Sequence, residues 1–293
     1  MAERCRLPRP LVRKVEGSNL VFRAGDGPWL KICPPYWPDA FDAEVRATAA
    51  VQGRLPARVP DILETGALED WRFLVTAHVP GVQIQSVLPA LSDADLDRIA
   101  DELGAFMAAF HAAPSVGFER AFGPWPVYLD NALTNARAVH LGRGNSPEVA
   151  DRIAAFLSPY DNALRALGPP VLIHADLTDE HVMLERAGGR WRLAGVLDLA
   201  DAMTAPAALD LIAPFVGLFR GRAAPQRRLA AAAGVAPLSP EQVMAVALQH
   251  RFMHFHDWFA SELAGGMVDV GEIARAIFPG GQGTRHQPAI VRS

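Results

Sequence analysis

Lysine is almost missing from these 293 residues: of 28 lysines and arginines only Lys14 and Lys31 are lysine. A lysine that persists in an arginine-rich chain is informative, because a planar guanidinium cannot replace a compact ammonium at a tight site. Cysteine is as scarce. Cys5 and Cys33 alone exclude a disulfide framework and a cysteine-built zinc centre, and they point to a reducing, cytoplasmic setting. Positive charge is not in excess either. A formal net charge of -4 removes the electrostatic footprint of a nucleic-acid or anionic-membrane binder. No apolar run reaches the roughly twenty residues of a spanning helix; the longest, Leu211 to Phe219, is interrupted by Pro214. Met1 to Arg6 carries charges with no apolar segment behind them, so no signal peptide is expected.

What remains is a globular composition, 50% hydrophobic and 20% charged, with length for about two domains. A monomer is favoured. Residues 1–80 read as strands and turns, with one helix. Leu11–Val15, Asn19–Arg23 and Trp29–Ile32 are extended segments, the last two bracketing the turn signal Gly25-Asp26-Gly27. Prolines 34, 35 and 38 stop the third segment. Residues 39–55 follow with helical spacing, and Asp61–Thr65 and Trp71–Ala77 read as two more strands. Val79-Pro80-Gly81 marks a hinge.

Residues 81–279 turn helical and alanine-rich. Ser92 and Asp95 signal an N-terminus, followed by an apolar face of Leu96, Ile99, Leu103, Phe106, Met107 and Phe110. Helices are also expected over residues 147–167, 209–219, 239–248 and 251–263. Val171–Ile173 and Trp191–Leu197 read as short strands, and residues 280–293 as a flexible tail.

The most informative stretch is Ile173-His174-Ala175-Asp176-Leu177-Thr178-Asp179-Glu180-His181, followed by Leu197-Asp198-Leu199-Ala200-Asp201. Each half lies beside a short apolar strand, so its polar side chains leave a rigid support. Phosphoryl transfer needs a carboxylate to orient and accept the proton of an attacking hydroxyl, and ligands for the magnesium that bridges nucleotide phosphates. Asp176 suits the first role; Asp198 and His181 suit the second. Lys31, mid-strand among apolar neighbours, needs a phosphate or carboxylate partner, and Glu44 on the next helix can supply one.

Here the sequence resembles the aminoglycoside phosphotransferase family, the small-molecule branch of the protein-kinase-like fold. His174-x-Asp176-Leu177 with His181 is similar to its catalytic loop, and Leu197-Asp198 to its metal-binding aspartate. The resemblance runs from about Glu16 to about Phe219. It implies an α+β, bilobal, protein-kinase-like fold with a small β-rich N-lobe and a larger, mostly helical C-lobe. It implies Mg2+ as cofactor, ATP or GTP as co-substrate, and a small-molecule hydroxyl as acceptor. In it, Gly17, Ser18 and Asn19 cover the phosphates, the backbone near Ala77 and His78 meets adenine, and Asp210 and His174 brace the loop. The chain departs from the family at His181, where asparagine is usual; macrolide phosphotransferases carry histidine there.

Several features have plainer readings. Gly17-Ser18 alone is a hairpin turn, and Lys31 alone a snorkelling lysine. Asp179 and Glu180 read as solvated loop carboxylates that a cationic substrate could touch, and Asp201, His254 and Trp258 as candidate wall of the acceptor site. His250 and His254 fall on one face of the expected 251–263 helix region, which admits a zinc reading without companion ligands. The order of turn, lysine, glutamate, hinge, His-x-Asp loop and second aspartate is what favours a kinase. The expected function is transfer of the γ-phosphate to a hydroxyl of a small molecule, an aminoglycoside or macrolide antibiotic among the candidates. Two rivals remain: a nucleotide-binding pseudokinase or regulator without turnover, and a metal-dependent hydrolase ligated by His174, Asp176, His181 and Asp198.

Overall fold

A computed structural model describes residues 3–14, 19–119 and 123–280. The expected Gly17-Ser18 turn and residues 281–293 of the expected tail lie outside these. Of that tail Gly280 is described, and its N–H donates to Oε1 of the buried Gln226 at 3.2 Å.

The chain begins as β1 (Leu11–Lys14), β2 (Leu20–Ala24) and β3 (Trp29–Cys33), crosses through α1 (Pro38–Val51), and returns as β4 (Ile62–Leu68) and β5 (Trp71–Thr76). The five strands form one antiparallel sheet in the order β1-β2-β3-β5-β4. Its central strands alternate well enough to be read directly: Leu30, Phe73 and Val75 pack on one face, Cys33 and Leu74 with Phe41 of α1 on the other. The α1 helix ends at Val51, four residues short of the expected limit, in a turn that contains Gly53 at φ +71°.

A short strand β6 (Val82–Gln83) leads to α2 (Asp93–His111). Ser92 is the expected N-cap, and with Asp95 it forms a reciprocal pair, Asp95 N–H donating to Ser92 Oγ at 3.1 Å and Ser92 N–H to Asp95 Oδ2 at 3.3 Å. All six apolar residues of its predicted face are buried; each contributes on the order of 2 kcal/mol of transfer energy. At the link into this part, Gly81 has φ +120°, and a Cβ there would stand 2.5 Å from the Leu184 carbonyl oxygen. Only glycine satisfies both conditions.

The remainder is mostly helical: α3 (Trp125–Thr134), α4 (Ala136–Gly142), α5 (Pro147–Leu157), α6 (Asp161–Arg165), α7 (Ile212–Val216), α8 (Ala223–Ala232), α9 (Pro240–Gln249), α10 (Phe255–Trp258), α11 (Ala260–Ala264) and α12 (Val270–Ile277). Between α6 and α7 lie β7 (Val171–Ile173), β8 (Val182–Ala187), β9 (Arg190–Val196) and β10 (Met203–Ala205). β6, β8 and β9 make one small sheet; β7 and β10 pair separately.

Three expected helices are corrected. The 147–167 stretch is two helices separated by a 3-10 turn at Ser158–Tyr160, because Pro159 cannot donate to the helical ladder. The 209–219 segment begins as a 3-10 turn, Ala207–Leu211, before α7. The 251–263 segment is α10 and α11, with His250 capping α9 and His254 capping α10. His250 and His254 therefore share no helix face, and the zinc reading loses its geometry. Finally, β6, β8, β10, α3, α4, α8 and α12 had no counterpart in the sequence reading.

Candidate functional site

The polar residues singled out in the sequence converge where β3, α1 and the loops after β7 and β9 meet. Nζ of Lys31 lies 2.8 Å from Glu44 Oε2 and 2.8 Å from Asp198 Oδ1, with the lysine and glutamate side chains less than a tenth exposed. β3 is a central strand, which fixes where Lys31 projects, and α1 packs behind it to offer Glu44. Burial alone would push the ammonium's pKa down, but the two carboxylates hold it above its ordinary value, so Lys31 is charged. Asp198 is held well below the usual carboxylate range: burial works against ionisation, but Lys31 outweighs it. Burial raises Glu44, the more enclosed partner, against the pull of Lys31.

Each of the two loops carries one non-glycine residue with positive φ, Ala175 (+67°) after β7 and Asp198 (+59°) after β9. Non-glycine residues adopt that region at a cost, so surrounding contacts must impose it. The buried Asp210 does so at Ala175: its Oδ1 accepts the Ala175 N–H at 2.8 Å and its Oδ2 the His174 N–H at 3.2 Å. Nε2 of His111 also reaches Asp210 Oδ2, at 2.9 Å. Burial opposes the Asp210 charge, but His111 and these donors bring its pKa below the ordinary value.

His174 is fully buried, and burial pushes its pKa down, so the ring is neutral. Its Nδ1 accepts the Asp176 N–H at 3.2 Å while Nε2 donates to the Leu197 carbonyl at 3.0 Å. Both ring nitrogens are thus occupied by backbone, which removes His174 from any metal-ligand set and with it the four-ligand hydrolase reading. Among the described residues no group of three or more His, Cys, Asp or Glu is gathered to hold a metal.

A smaller set fits a divalent cation. Nδ1 of His181 lies 2.7 Å from the Asp176 main-chain oxygen, which assigns the proton to Nδ1 and leaves Nε2 as an acceptor. That acceptor stands 3.9 Å from Asp198 Oδ2. Two acceptors facing each other repel unless a cation or proton lies between them. A pair of protein ligands is what magnesium takes when phosphates and water complete its shell. The Asp176 carboxylate is 3.4 Å from His181 Nδ1, so the three residues form one cluster.

Other predicted residues are placed as follows. Asn19 is half-buried ahead of β2. The Ala77 N–H donates to the Asp61 carbonyl at 2.8 Å, which leaves its own carbonyl and the His78 backbone for the expected contact with a base. His78 accepts from Trp29 Nε1 at 3.2 Å, and burial lowers its pKa. Glu180 is no purely solvated carboxylate: it takes the Lys14 ammonium at 3.2 Å, while its carbonyl accepts from Gln83 at 2.6 Å. The Asp179 carbonyl accepts from the Gln85 N–H at 3.3 Å. Asp201 is ion-paired with Arg251, whose guanidinium lies 4.3 Å over the Phe252 ring. His254 is exposed, and Trp258 packs 5.4 Å from the His250 ring. His111 and Arg251 as parts of this site were not found from sequence, which displays neither burial nor pairing; His250 was singled out there, but for a zinc reading and not as a support of the loop.

Residues 12–246 match a family described as the phosphotransferase enzyme family. No curated protein matches the chain. Solved structures share its fold at low identity. The GDP complex of wild-type aminoglycoside 2'-phosphotransferase-IIIa superposes with a TM-score of 0.66 at 16% identity, over 92% of this chain and 93% of that one. The streptomycin–ATP ternary complex of APH(2")-IIa gives 0.62 at 14% identity, over 92% and 95%. An aminoglycoside phosphotransferase from Streptomyces rimosus, APH(3'')-Id, gives 0.59 at 20% identity, over 82% and 92%. The α+β, kinase-like architecture is common to all of them.

Proposed function

Because this chain belongs to the phosphotransferase enzyme family, whose members of known structure here are small-molecule kinases, we propose that it transfers the γ-phosphate of ATP or GTP to a hydroxyl of a small molecule. Asp176 orients that hydroxyl and takes up its proton. The acceptor oxygen bonds to the γ-phosphorus as the bond to the bridging oxygen breaks, and the nucleoside diphosphate leaves. Lys31, steadied by Glu44, meets phosphate oxygens. Asp198 and His181 would hold Mg2+, which supplies neutralising charge on the phosphates when bound. Gly17, Ser18 and Asn19 cover the phosphates, and the carbonyl of Ala77 and the backbone of His78 meet the base. His174 and Asp210 brace the loop. Residues 1–80 form the nucleotide-holding lobe and 81–279 the acceptor-holding lobe.

The observation that carries this reading is the Lys31 ammonium held at 2.8 Å by both Glu44 and Asp198, beside the His181–Asp176 cluster. A buried lysine locked between two carboxylates from different elements is costly to build for stability alone. The acceptor belongs with hydroxyl compounds such as aminoglycosides, since neighbours of the same fold are seen with kanamycin, streptomycin and gentamicin. Macrolides stay in the set through His181.

The test is release of ADP from Mg-ATP and of GDP from Mg-GTP across aminoglycosides, macrolides, sugars and amino alcohols. Acceptor-dependent release that disappears in Asp176→Asn and falls by several orders of magnitude in Asp198→Ala is the expected result. A near-wild-type rate in Asp198→Ala would sink the assignment. Tight nucleotide binding without release favours the regulator reading, which rests on histidine standing at position 181.

A further inference from the structure

Ala175 precedes Asp176 and holds a left-handed backbone, φ +67°, that its methyl group disfavours. Its N–H is held by Asp210 from below the loop. Its carbonyl is held from a different direction, by Nε2 of His250 at 2.9 Å. His250 lies 75 residues away in sequence, caps α9, and is 2% exposed.

The His250 ring is fixed on every side. Nδ1 accepts the Phe252 N–H at 3.3 Å, so the ring proton belongs on Nε2, pointing at Ala175. Trp258 lies 5.4 Å from the ring and Phe252 5.8 Å. Burial pushes its pKa down, which keeps it a neutral donor. The buried ring must place its one proton on some acceptor, and the acceptor here is the carbonyl of the residue with the left-handed backbone.

We propose that His250 is a positioning residue for Asp176: by holding the Ala175 carbonyl it keeps the left-handed turn that aims the next side chain into the site. This rests on Asp176 being the group that orients the acceptor hydroxyl. With the donor gone, residue 175 relaxes toward the ordinary right-handed region and the Asp176 carboxylate swings from its place. A misplacement of about 1 Å is enough to cost roughly a hundredfold in rate.

Two variants separate positioning from packing. His250→Phe keeps ring volume and loses the donor; His250→Gln keeps a donor of similar reach. For each, kcat and KM for Mg-ATP are measured with an accepted hydroxyl compound, corrected for folded fraction by thermal melting. Hydrogen exchange is followed in the peptide spanning 172–184. We expect His250→Phe to lower kcat about tenfold to a hundredfold, with KM for the nucleotide within about twofold and faster exchange around Ala175. His250→Gln should restore most of both. Wild-type kcat and exchange in His250→Phe overturns the inference, and so does equal loss in both variants accompanied only by a lower Tm. If the wild-type protein releases no nucleoside diphosphate with any acceptor, the phosphotransferase reading fails instead, and the exchange comparison alone decides the clamp.

Discussion

Nδ1 of His181 lies 2.7 Å from the main-chain oxygen of Asp176, so the proposed cation ligand is tied to the backbone of the residue proposed to orient the acceptor. The bond spends one nitrogen on the loop and leaves the other to Asp198. An asparagine also carries a donor and an acceptor, its amide N–H for the loop carbonyl and its amide oxygen for a cation. An imidazole ligand is softer than an amide oxygen and tolerates manganese and cobalt better relative to magnesium. His181→Asn should therefore keep measurable turnover while its Mn2+ to Mg2+ rate ratio drops several-fold. Initial rates across the metals check this, and an unchanged ratio argues that Nε2 touches no cation.

Two of the carboxylates singled out as candidate acceptor contacts are taken by internal cations. Asp201 pairs with Arg251, and Glu180 with Lys14. A polycationic acceptor gains little from carboxylates already neutralised. Arg251→Gln frees Asp201, so KM for an aminoglycoside should fall several-fold while KM for a neutral acceptor such as a macrolide stays put. Parallel saturation curves for the two acceptor classes read this directly.

His140 sits buried in α4 and its pKa is pushed down to about 4, first by burial and then by Arg143. An unfolded histidine binds its proton near 6.5, so the unfolded chain holds the extra proton between these values. Stability is therefore full above about pH 6.5 and is lost as pH falls toward 4, by up to roughly 3 kcal/mol. His140→Leu should flatten the decline of Tm between pH 7 and 4.5 relative to wild type, as read by melts across that range. A parallel decline in both proteins would remove His140 from the acid response.

Gly104 lets α2 and α8 touch. A Cβ there would stand 2.5 Å from the Ala232 Cβ and 2.7 Å from the Leu229 carbonyl. Neither neighbour is a flexible side-chain end, so Gly104→Ala must separate the helices and costs about 1–3 kcal/mol. That effect outweighs the better helix propensity of alanine, about 1 kcal/mol. Thermal melts should show Tm lower by several degrees.

Local signals were readable where one element explained itself. The Ser92–Asp95 cap and the face from Leu96 to Phe110 announce α2, and the alternation around Lys31 announces β3. The order of Lys31, Glu44, Asp176, His181 and Asp198 along the chain, read with the family resemblance, already implies that they meet. Elements that depend on partners were not readable. Val182–Leu184 of β8 lies directly after the loop and is a strand because β6 and β9 pair with it. The Arg251–Leu263 stretch has helical composition throughout, yet Phe252–His254 leaves the helix so that His250 can turn under Ala175. His111 and Arg251 reach the site across 99 and 50 residues of chain, and no local pattern encodes such a meeting.

One neutral imidazole, His174, joins the N–H of Asp176 to the carbonyl just ahead of Asp198. An aromatic ring neither stretches nor bends, so the gap between the two carboxylate-bearing segments has the dimension of that ring. It works as a spacer block between the segment that carries Asp176 and the one that carries Asp198. Whatever molecule is brought between them must fit a gauge set by one side chain, and chemists altering this protein for new acceptors should reshape the walls and leave that block in place.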